Sequence, residues 1–360
     1  MSTATTAPAA QQPAPQAPRR TRGRRRSIRG AQAGAGWLFV SPAVVILLVF
    51  LVLPIILALY VSFTDWNGMT NPLSAGGAHW VGLDNYRELI TEDGLTRNGF
   101  MTAVRNNFYF VLFVVPLQTA LSLALAVLVN NRFLKGKGFF RTAFYFPSVT
   151  SSIAITLVFI FLFNPSGAVN VLLSKVGIDG PNWLIDEHGV FHNILGVFGV
   201  DSAPGWAQHQ VLGLSIWEWF AGPSVGMCVL IVMLTWTTSG SFMLMFLAAL
   251  QTISEDMDEA AAIDGATGWR LFRHVTLPML RPTLVLVITL GLIGTWQIFD
   301  QIYLMGPNNQ TIRTPAYFSY TESFANSAFG VGAAVAFLLF VLIVVLTLLQ
   351  RRLLPEDIES

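Results

Sequence analysis

Charged residues are scarce in this sequence: they make up 11% of its 360 residues, whereas a typical soluble domain carries about 25%. Hydrophobic residues account for 53%, and the mean hydropathy is +0.58. This number of charged side chains is too small to cover the surface of a soluble protein. A chain of this length can bury so many apolar residues only in a bilayer. The composition therefore excludes a soluble enzyme, a nucleic-acid-binding protein and a disulfide scaffold. The net charge of +1 indicates no acidic partner for the chain as a whole.

Cysteine is almost absent. The one cysteine, Cys228, lies in an apolar run, so we predict neither an intramolecular disulfide nor a cysteine metal cluster. Of the five histidines, only His188 and His192 have the spacing that places two side chains on one helix face. Gly189 argues against a helix there, so we predict a solvated loop pair and no metal site. The phosphate-binding pattern G-x-x-x-x-G-K-[ST] is also missing, so this chain is not itself an ATPase.

The N-terminal residues 1–36 are rich in Ala, Pro, Gln and Arg and contain the basic run RRTRGRRRSIR. This composition cannot bury a core and predicts a disordered tail. The apolar run that follows, Trp37–Phe63, is too long for a signal peptide and ends in no cleavage site, which indicates an uncleaved first span. We therefore predict a basic cytoplasmic tail over 1–36, a membrane domain over 37–352 and a C-terminal tail over 353–360.

Six runs are long and apolar enough to cross a bilayer, which takes about 20 residues each. They are Trp37–Phe63, Phe108–Val129, Ala143–Phe163, Val225–Leu250, Leu284–Met305 and Val331–Leu349. Of the 21 Lys and Arg residues, 16 fall on the side of the two termini and 5 on the other side. Positive residues are enriched in cytoplasmic loops, so both termini are predicted to be cytoplasmic. The predicted fold class is an all-α, six-helix, multi-pass protein of the cell membrane.

Two long segments are predicted outside the membrane, 64–107 and 164–210. The second contains VNVLLSKVG at 169–177, whose apolar spacing predicts a short amphipathic helix. Segments of this length either dock a partner or cover the span ends, and the sequence leaves both alternatives open. The Trp-rich stretch Val211–Pro223 is too short to cross, and it suits an interfacial helix or the start of the fourth span.

The predicted cytoplasmic loop Ser254–Pro282 indicates two short helices with a break between them. Ser254 is a good N-cap, three consecutive alanines favour a helix, and Gly265 ends that helix as a C′ glycine does. Thr267 is placed to cap a second helix, which Pro278 would stop. Such short helices are unstable alone in water. The loop therefore packs either into a groove on another protein or against the membrane surface.

The residue spacing in this loop favours another protein. Glu-Ala-Ala at 259–261 is followed by Gly265, and then by Val275 and Leu277–Pro278. This pattern resembles the EAA loop of integral-membrane permease subunits of binding-protein-dependent ABC importers. EAAAIDGA at 259–266 and FDQIYLM at 299–305 are similar to the carbohydrate-uptake branch, which includes permeases for maltose, trehalose and glycerol-phosphate-type solutes. The resemblance covers about residues 37–352.

The resemblance implies the type I ABC importer permease fold within a heteromeric complex. Two permease subunits, generally unlike, form the pathway, two ATPase subunits bind ATP-Mg beneath them, and an extracytoplasmic binding protein delivers the solute. Closing of the ATPases would swing the permease helices outward-open. This chain would be neither an enzyme nor the holder of a cofactor. The ATPase-coupling residues that the resemblance implies are Glu259, Ala260, Ala261, Asp264, Gly265, Leu277 and Pro278.

Polar residues within the spans are candidate solute contacts, because polar groups there are costly. Hydroxyl and amide side chains beside aromatic rings suit a sugar. Gln297 and Asp300 are polar positions of the fifth span, and Asp300 faces either the entrance or a partner in the bundle. Resemblance to maltose-type permeases implies six more contacts: Thr235, Thr238, Ser241, Gly291, Thr295 and Ile298. Ser and Thr in spans also often bond only to their own backbone or to a neighbouring helix.

Two other classes are alternatives. A secondary carrier or channel would work without an ATPase, but carriers often show internal repeats and intramembrane charges, and no obvious repeat and few such charges are found. A membrane-embedded enzyme would need clustered His, Asp, Glu or Ser at the membrane face, and none is visible in the sequence. We therefore expect an ABC importer permease for a sugar, di- or oligosaccharide, or a related polyol, with the solute itself unnamed.

Overall fold

A computed structural model describes residues 28–74, 76–200, 202–263, 265–306 and 310–354. Helices predominate in these ranges, and the two strands found there have two residues each. The chain divides into two compact units, Met1–Ile56 and Leu57–Ser360. Residues 1–27 and 355–360, which cover most of the two predicted tails, lie outside the described residues.

The helices follow the predicted order of spans and loops. They are α1 (Ile28–Leu47), continued by a π-turn (Leu48–Val52), α2 (Leu53–Val61), α3 (Asp84–Ile90), α4 (Leu95–Asn130), α5 (Lys137–Val149), α6 (Ser152–Leu162), α7 (Ala168–Lys175), α8 (Val190–Val197), a 3₁₀ turn (Gly205–Gln208), strands β1 (Gln210–Val211) and β2 (Leu214–Ser215), α9 (Ile216–Trp219), α10 (Val225–Leu250), α11 (Glu255–Ile263), α12 (Trp269–Leu271), a π-turn (Phe272–Thr276), α13 (Leu277–Met279), α14 (Arg281–Trp296), α15 (Asp300–Met305), a 3₁₀ turn (Gln310–Ile312), α16 (Pro315–Tyr320), a π-turn (Thr321–Ala325) and α17 (Phe329–Leu353).

Five helices of the described chain are long and apolar enough to cross a membrane, and a bent pair makes a sixth if it counts as one span. The five run over Gly36–Val61, Leu95–Asn130, Val225–Leu250, Arg281–Met305 and Phe329–Leu353. The predicted all-α membrane fold is confirmed, and these helices coincide with five of the six predicted spans. The helical conformation begins before the first predicted span, at Ile28, where we predicted a disordered tail up to residue 36. Ala and Gln favour helix, and an existing helix extends cheaply by one residue at a time.

The third predicted span is not one straight helix. α5 and α6 meet at an angle of 92°, with Thr150 in an extended conformation between them. Ser148, just before the bend, donates a hydrogen bond to the Thr237 carbonyl of α10 at 2.5 Å and accepts one from the Ser241 amide at 3.1 Å. The bend is thus held by contacts with another helix, and a continuous span over Ala143–Phe163 was a wrong prediction.

The fifth span is broken between α14 and α15. The break releases backbone carbonyls from the helix, and side chains from elsewhere satisfy them, as membrane-buried backbone requires. The Thr314 hydroxyl donates to the Ile298 carbonyl at 3.0 Å, and the Asn107 amide donates to the Trp296 carbonyl at 3.4 Å. Gln301 of α15 donates to the Ser152 hydroxyl at 3.0 Å, which ties this break to the bend of the third span.

The stretch Val211–Pro223 contains most of a hairpin and one turn of helix, and neither predicted alternative, an interfacial helix or the start of the fourth span, describes it. β1 and β2 pair antiparallel through Leu212 and Gly213, both at positive φ, which is the geometry of a tight two-residue hairpin turn. α9 follows with a capping box between Ser215 and Glu218. α7 covers most of the predicted amphipathic segment 169–177, so that prediction is confirmed.

α4 and α10 form the centre of the bundle, with α5, α14 and α17 packed around them. The largest buried cluster joins Phe110 of α4 to Leu230 and Met233 of α10 and Ile302 of α15. Gly240 permits the close approach of α5: a Cβ atom there would lie 2.3 Å from the Phe144 carbonyl oxygen. This tight packing places the bend of the third span directly against the middle of α10.

Candidate functional site

Two adjoining cavities lie among these helices. The bend cavity, about 250 Å³, lies beside the bend between α5 and α6 and faces α10. The break cavity, about 320 Å³, lies beside the break between α14 and α15 and also contacts α4 and α10. Thr238, Phe242 and Gln301 line both cavities. The two irregular segments of the bundle therefore open onto one polar region with an aromatic ring in its wall.

Seven of the eight predicted solute residues line this region. Ser241 lines the bend cavity, Thr238 lines both, and the break cavity holds the other five: Gly291, Thr295, Gln297, Ile298 and Asp300. Thr235 lies outside both cavities, with a buried hydroxyl that has no hydrogen-bond partner among the described residues. Solute contact by these residues remains a prediction, and Thr235 has the weakest support from the geometry.

Sequence analysis missed Gln118 of α4. This side chain is only 1% exposed, and its Oε1 accepts a hydrogen bond of 2.7 Å from the Thr238 hydroxyl. Its Nε2 lies where Gly291 lacks a side chain, since a Cβ on Gly291 would be 2.1 Å from that nitrogen. The sequence does contain a signal for this residue, because Gln118 is an amide in the middle of the second predicted span.

The EAA loop forms the helix–break–helix that its sequence predicts. α11 ends at Ile263, Gly265 has φ +79°, and the Ala266 amide donates to the Ala261 carbonyl at 2.9 Å. This bond is that of a Schellman motif, which terminates a helix through a left-handed C′ residue. Glu259, Gly265 and Pro278 are exposed, whereas Ala261 and Leu277 are half-buried. Ala260 lies in the middle of α11, and Asp264 lies outside the described residues.

Two predictions about the second half of this loop were wrong. Gly268, with φ +53°, occupies the N-cap position of α12, where we predicted Thr267. The backbone carbonyl of Thr267 accepts a hydrogen bond of 3.1 Å from the Arg270 amide. Pro278 does not stop the helix, because the conformation stays helical through α13 to Met279. Proline is tolerated in the first turn of a helix, where its missing N–H has no partner to lose. The chain thus continues almost without interruption into α14.

A polar pocket of about 280 Å³ lies beside α8 and α9, apart from the two cavities. His192 of α8 stacks on Trp217 of α9, with the ring centroids 4.1 Å apart, and its Nε2 lies 3.0 Å from the Trp217 carbonyl oxygen. His188 lies before α8 and pairs with Asp186. The two histidines therefore do not share a helix face, and His192 is helical where we predicted a loop. No group of three or more metal-ligating side chains occurs within the described ranges.

Acidification is expected to loosen the contact between α8 and α9. Burial lowers the pKa of the His192 imidazole, the positive charge of Arg105 lowers it further, and the Trp217 carbonyl opposes both effects. A lowered pKa means that this contact is fully stable above the ordinary histidine pKa of about 6.5 and loses stability as pH falls. Amide hydrogen exchange over 190–197, corrected for intrinsic rates, should accelerate between about pH 7.5 and about pH 5.5.

The matched control for this experiment is His192→Phe, which retains an aromatic ring against Trp217 but cannot bind a proton. Its hydrogen exchange over 190–197 should be independent of pH in the same window. Equal acceleration in the wild type and in this variant would show that protonation of another group is responsible.

Spanning helices around a polar central region, with an exposed helical loop at one end, have the architecture of a solute-transport subunit. The sequence comparisons identify the family. The chain belongs to the binding-protein-dependent transport system inner membrane components, and the family's sequence model matches residues 118–356. The resemblance noted from the EAA loop is thereby confirmed.

Relatives with assigned roles cover nearly the whole chain. The lactose transport system permease LacF of Rhizobium radiobacter is 32% identical over 88% of this chain and 92% of its own length. The arabinooligosaccharides permease AraP of Bacillus subtilis is 27% identical over 91% of each chain. A chain of a bacterial ABC transporter that imports the acidic polysaccharide alginate has the same fold, with a TM-score of 0.66 over 92% of this chain and 99% of that one, at 20% identity.

The chain is therefore a multi-pass permease subunit of an ABC importer in the inner membrane. Its family works together with solute-binding proteins, and its relatives are transport permeases, not enzymes. This membership decides against the secondary carrier and the membrane-embedded enzyme.

Proposed function

We propose that this permease carries a di- or oligosaccharide or a related polyol, and that the bend and break cavities contain its part of the solute site. The observation that carries the proposal is the composition of their walls: hydroxyl groups of Thr238 and Ser241, amides of Gln297 and Gln301, and the ring of Phe242. Hydroxyl and amide groups exchange hydrogen bonds with sugar hydroxyls, and an aromatic face suits the C–H side of a sugar ring. The transport of lactose by LacF and of arabinooligosaccharides by AraP supports the same class of solute.

The exposed surface of the EAA loop supports docking on an ATPase subunit. Ile263 is 87% exposed, Trp269 is 69% exposed and Met257 is 44% exposed. Large apolar side chains exposed together on a loop outside the spans indicate a surface that a partner protein covers. Glu259 lies one helical turn before Ile263, on the same side of α11. We assign Glu259, Ala260, Ala261, Asp264, Gly265, Leu277 and Pro278 to this contact.

The remaining parts of the proposal concern the assembly. A second permease, generally a different chain in this branch, would complete the pathway, and the ATPase subunits would bind ATP-Mg, since this sequence has no phosphate-binding loop of its own. An extracytoplasmic binding protein would deliver the solute. The asymmetry of Lys and Arg supports a cytoplasmic position for both termini and for the EAA loop.

Uptake by the complete transport system tests this proposal. The complex is purified through a tag on this chain and reconstituted into liposomes with its binding protein and with ATP on the ATPase side. Radiolabelled lactose, maltotriose, arabinotriose and sorbitol are then offered one at a time. We expect ATP-dependent accumulation of at least one of them, because the cavity walls match neutral hydroxylated solutes.

Each possible failure contradicts a different part of the proposal. Accumulation of none of the four solutes would contradict the sugar and polyol assignment. Purification of this chain without an ATPase would contradict the role of the EAA loop. The matched control is the same complex with a non-hydrolysable ATP analogue, which should accumulate no solute.

A further inference from the structure

We propose that Gln118 is a positioning residue that orients the Thr238 hydroxyl as a hydrogen-bond acceptor, so that the solute group bound at Thr238 is a donor. This inference rests on the proposed function, because it takes Thr238 to face the solute. Gln118 lies behind the cavity wall, 1% exposed, and Thr238 lines both cavities. Gln118 would therefore act through Thr238 rather than touch the solute itself.

The hydrogen-bond distances around Thr238 carry the argument. The Thr238 oxygen lies 2.7 Å from the Leu234 carbonyl oxygen and 2.7 Å from Gln118 Oε1. Both neighbours are acceptors, and a threonine hydroxyl has only one proton. One of these two contacts therefore has no proton. At the same time, Gln118 Nε2 is buried with no partner among the described residues, which is costly for a donor.

A rotation of the Gln118 amide by 180° about its last side-chain torsion exchanges Oε1 and Nε2. This exchange removes the contact between two acceptors and gives Nε2 a hydrogen-bond partner. The amide torsion is broad and roughly two-fold, so either orientation is accessible. Nε2 then donates to the Thr238 oxygen, and the Thr238 hydroxyl donates to the Leu234 carbonyl. The amide oxygen takes the place against Gly291, where a weak contact with the Cα hydrogens is favourable. The Thr238 hydroxyl and one of the two Gln118 N–H groups then each have an acceptor.

This arrangement determines which solute groups fit at Thr238. The single proton of the hydroxyl is used by Leu234, one lone pair accepts from Gln118, and one lone pair remains for the cavity. A sugar or polyol hydroxyl can donate to that lone pair. A phosphate or carboxylate oxygen offers only acceptors and has no favourable contact with it. The position therefore selects neutral hydroxylated groups over anionic groups.

Gly291 contributes to the same hydrogen-bond arrangement. Because its missing Cβ position is 2.1 Å from the Gln118 amide, any side chain at residue 291 displaces that amide from Thr238. We predicted Gly291 as a solute contact, and the geometry gives it a second role: it makes room for Gln118. Gln118→Met and Gly291→Ala should thus have the same consequence by different routes, since one removes the amide and the other moves it.

Transport kinetics test the proposal in the reconstituted complex, with whichever of lactose, maltotriose and arabinotriose the wild type accumulates. Gln118→Met keeps the shape of the side chain and removes its hydrogen bonds. We expect the maximal uptake rate with saturating, solute-loaded binding protein to fall about tenfold in Gln118→Met and in Gly291→Ala, as for the loss of one well-oriented hydrogen bond. The solute concentration that gives half-maximal uptake should not change, because the binding protein sets it. Thr119→Val is the control, because Thr119 is buried on the same helix and its hydroxyl donates to the Val115 carbonyl; its uptake rate should equal that of the wild type.

Thermal unfolding of the purified complex provides a readout that needs no solute. Gln118→Met, Thr238→Val and the double variant form a double-mutant cycle, and we expect their shifts in Tm to be non-additive because the two side chains share a hydrogen bond. An unchanged maximal uptake rate in Gln118→Met, or additive shifts in Tm, overturns the proposal. If the wild type accumulates none of the three sugars, the proposed solute class fails separately, and the cycle alone then decides whether Gln118 positions Thr238.

Discussion

Replacing Gly265 by valine is expected to reduce solute uptake to below about one-tenth of the wild-type rate. Gly265 has φ +79° and terminates α11 through the bond from the Ala266 amide to the Ala261 carbonyl. A left-handed conformation costs a residue with a Cβ atom about 1–2 kcal/mol, and a β-branched side chain suffers most. About 1.4 kcal/mol lowers the population of a conformation tenfold. The variant would therefore rarely present the loop in the shape that the ATPase binds.

Asparagine at the same position is the matched control. Asn visits the left-handed region far more readily than valine, and it is also found at C′ positions. Gly265→Asn should therefore keep most of the uptake while carrying a side chain of similar size. A Cβ at Gly265 meets no atom of the described chain within 4 Å, so a folding defect from steric overlap within this subunit is not expected in either variant.

The amount of ATPase that co-purifies with the tagged permease distinguishes the cause. Gly265→Val should recover less ATPase for each permease, and Gly265→Asn should recover a normal amount. Wild-type uptake in the valine variant would contradict the view that the shape of this loop transmits movement. A loss of uptake with full ATPase recovery would instead place the effect in the movement of the loop after docking.

The helices were predictable from sequence because each depends on local information. Length and hydropathy identify α10 without its neighbours, and the predicted bounds Val225–Leu250 are those of the structure. The end of α11 was equally predictable, since a glycine that follows a run of alanines has a defined backbone role. Where the structure depends on local conformational preference or on burial of an apolar run, the sequence alone suffices.

The bend and the break were not predictable, because their stabilising partners are distant in the chain. Ser148 finds its partners on α10, and Thr314 reaches back to the carbonyl of Ile298. Pro147 directly precedes Ser148, but helices in membranes tolerate proline, so this local signal does not distinguish a helix that ends there from one that continues. The hairpin at Gln210–Ser215 was missed for a related reason: the tryptophans nearby resemble those of an interfacial helix, whereas Leu212–Gly213 forms the turn.

In the candidate site, too, some residues were predictable from local sequence and others depend on distant partners. Polar residues of α10 and α14 were predicted from their position in apolar runs and from the resemblance to maltose-type permeases, and most of them line the cavities. Thr235 fits that criterion equally well but faces away, because its direction depends on how α10 is rotated against its neighbours. Gln118 has its significance only through Thr238 and Gly291, and those contacts join three separate helices. A single sequence offers no means of pairing them.

Gly240→Ala is expected to destabilise the contact between α5 and α10. The added Cβ would lie 2.3 Å from the Phe144 carbonyl oxygen, 2.6 Å from Ser148 Oγ and 2.9 Å from the Tyr145 Cα. Two of these three atoms belong to backbone, so α5 as a whole must move away from α10. Overpacking of this kind costs about 1–3 kcal/mol, and the movement would also separate Ser148 from Thr237 and Ser241.

The matched control is Gly138→Ala on α5 itself, where an added Cβ meets no described atom within 4 Å. This change should leave the complex unaffected or stabilise it by about 0.4–1 kcal/mol through the entropy of the unfolded chain. Thermal unfolding of both variants in the same detergent, together with uptake, measures the difference. A lower Tm and lost uptake in Gly240→Ala alone would show that the bend is held from α10. Equal Tm values for the two variants would mean that α5 adjusts freely, and the bend cavity would then not have a wall of fixed shape.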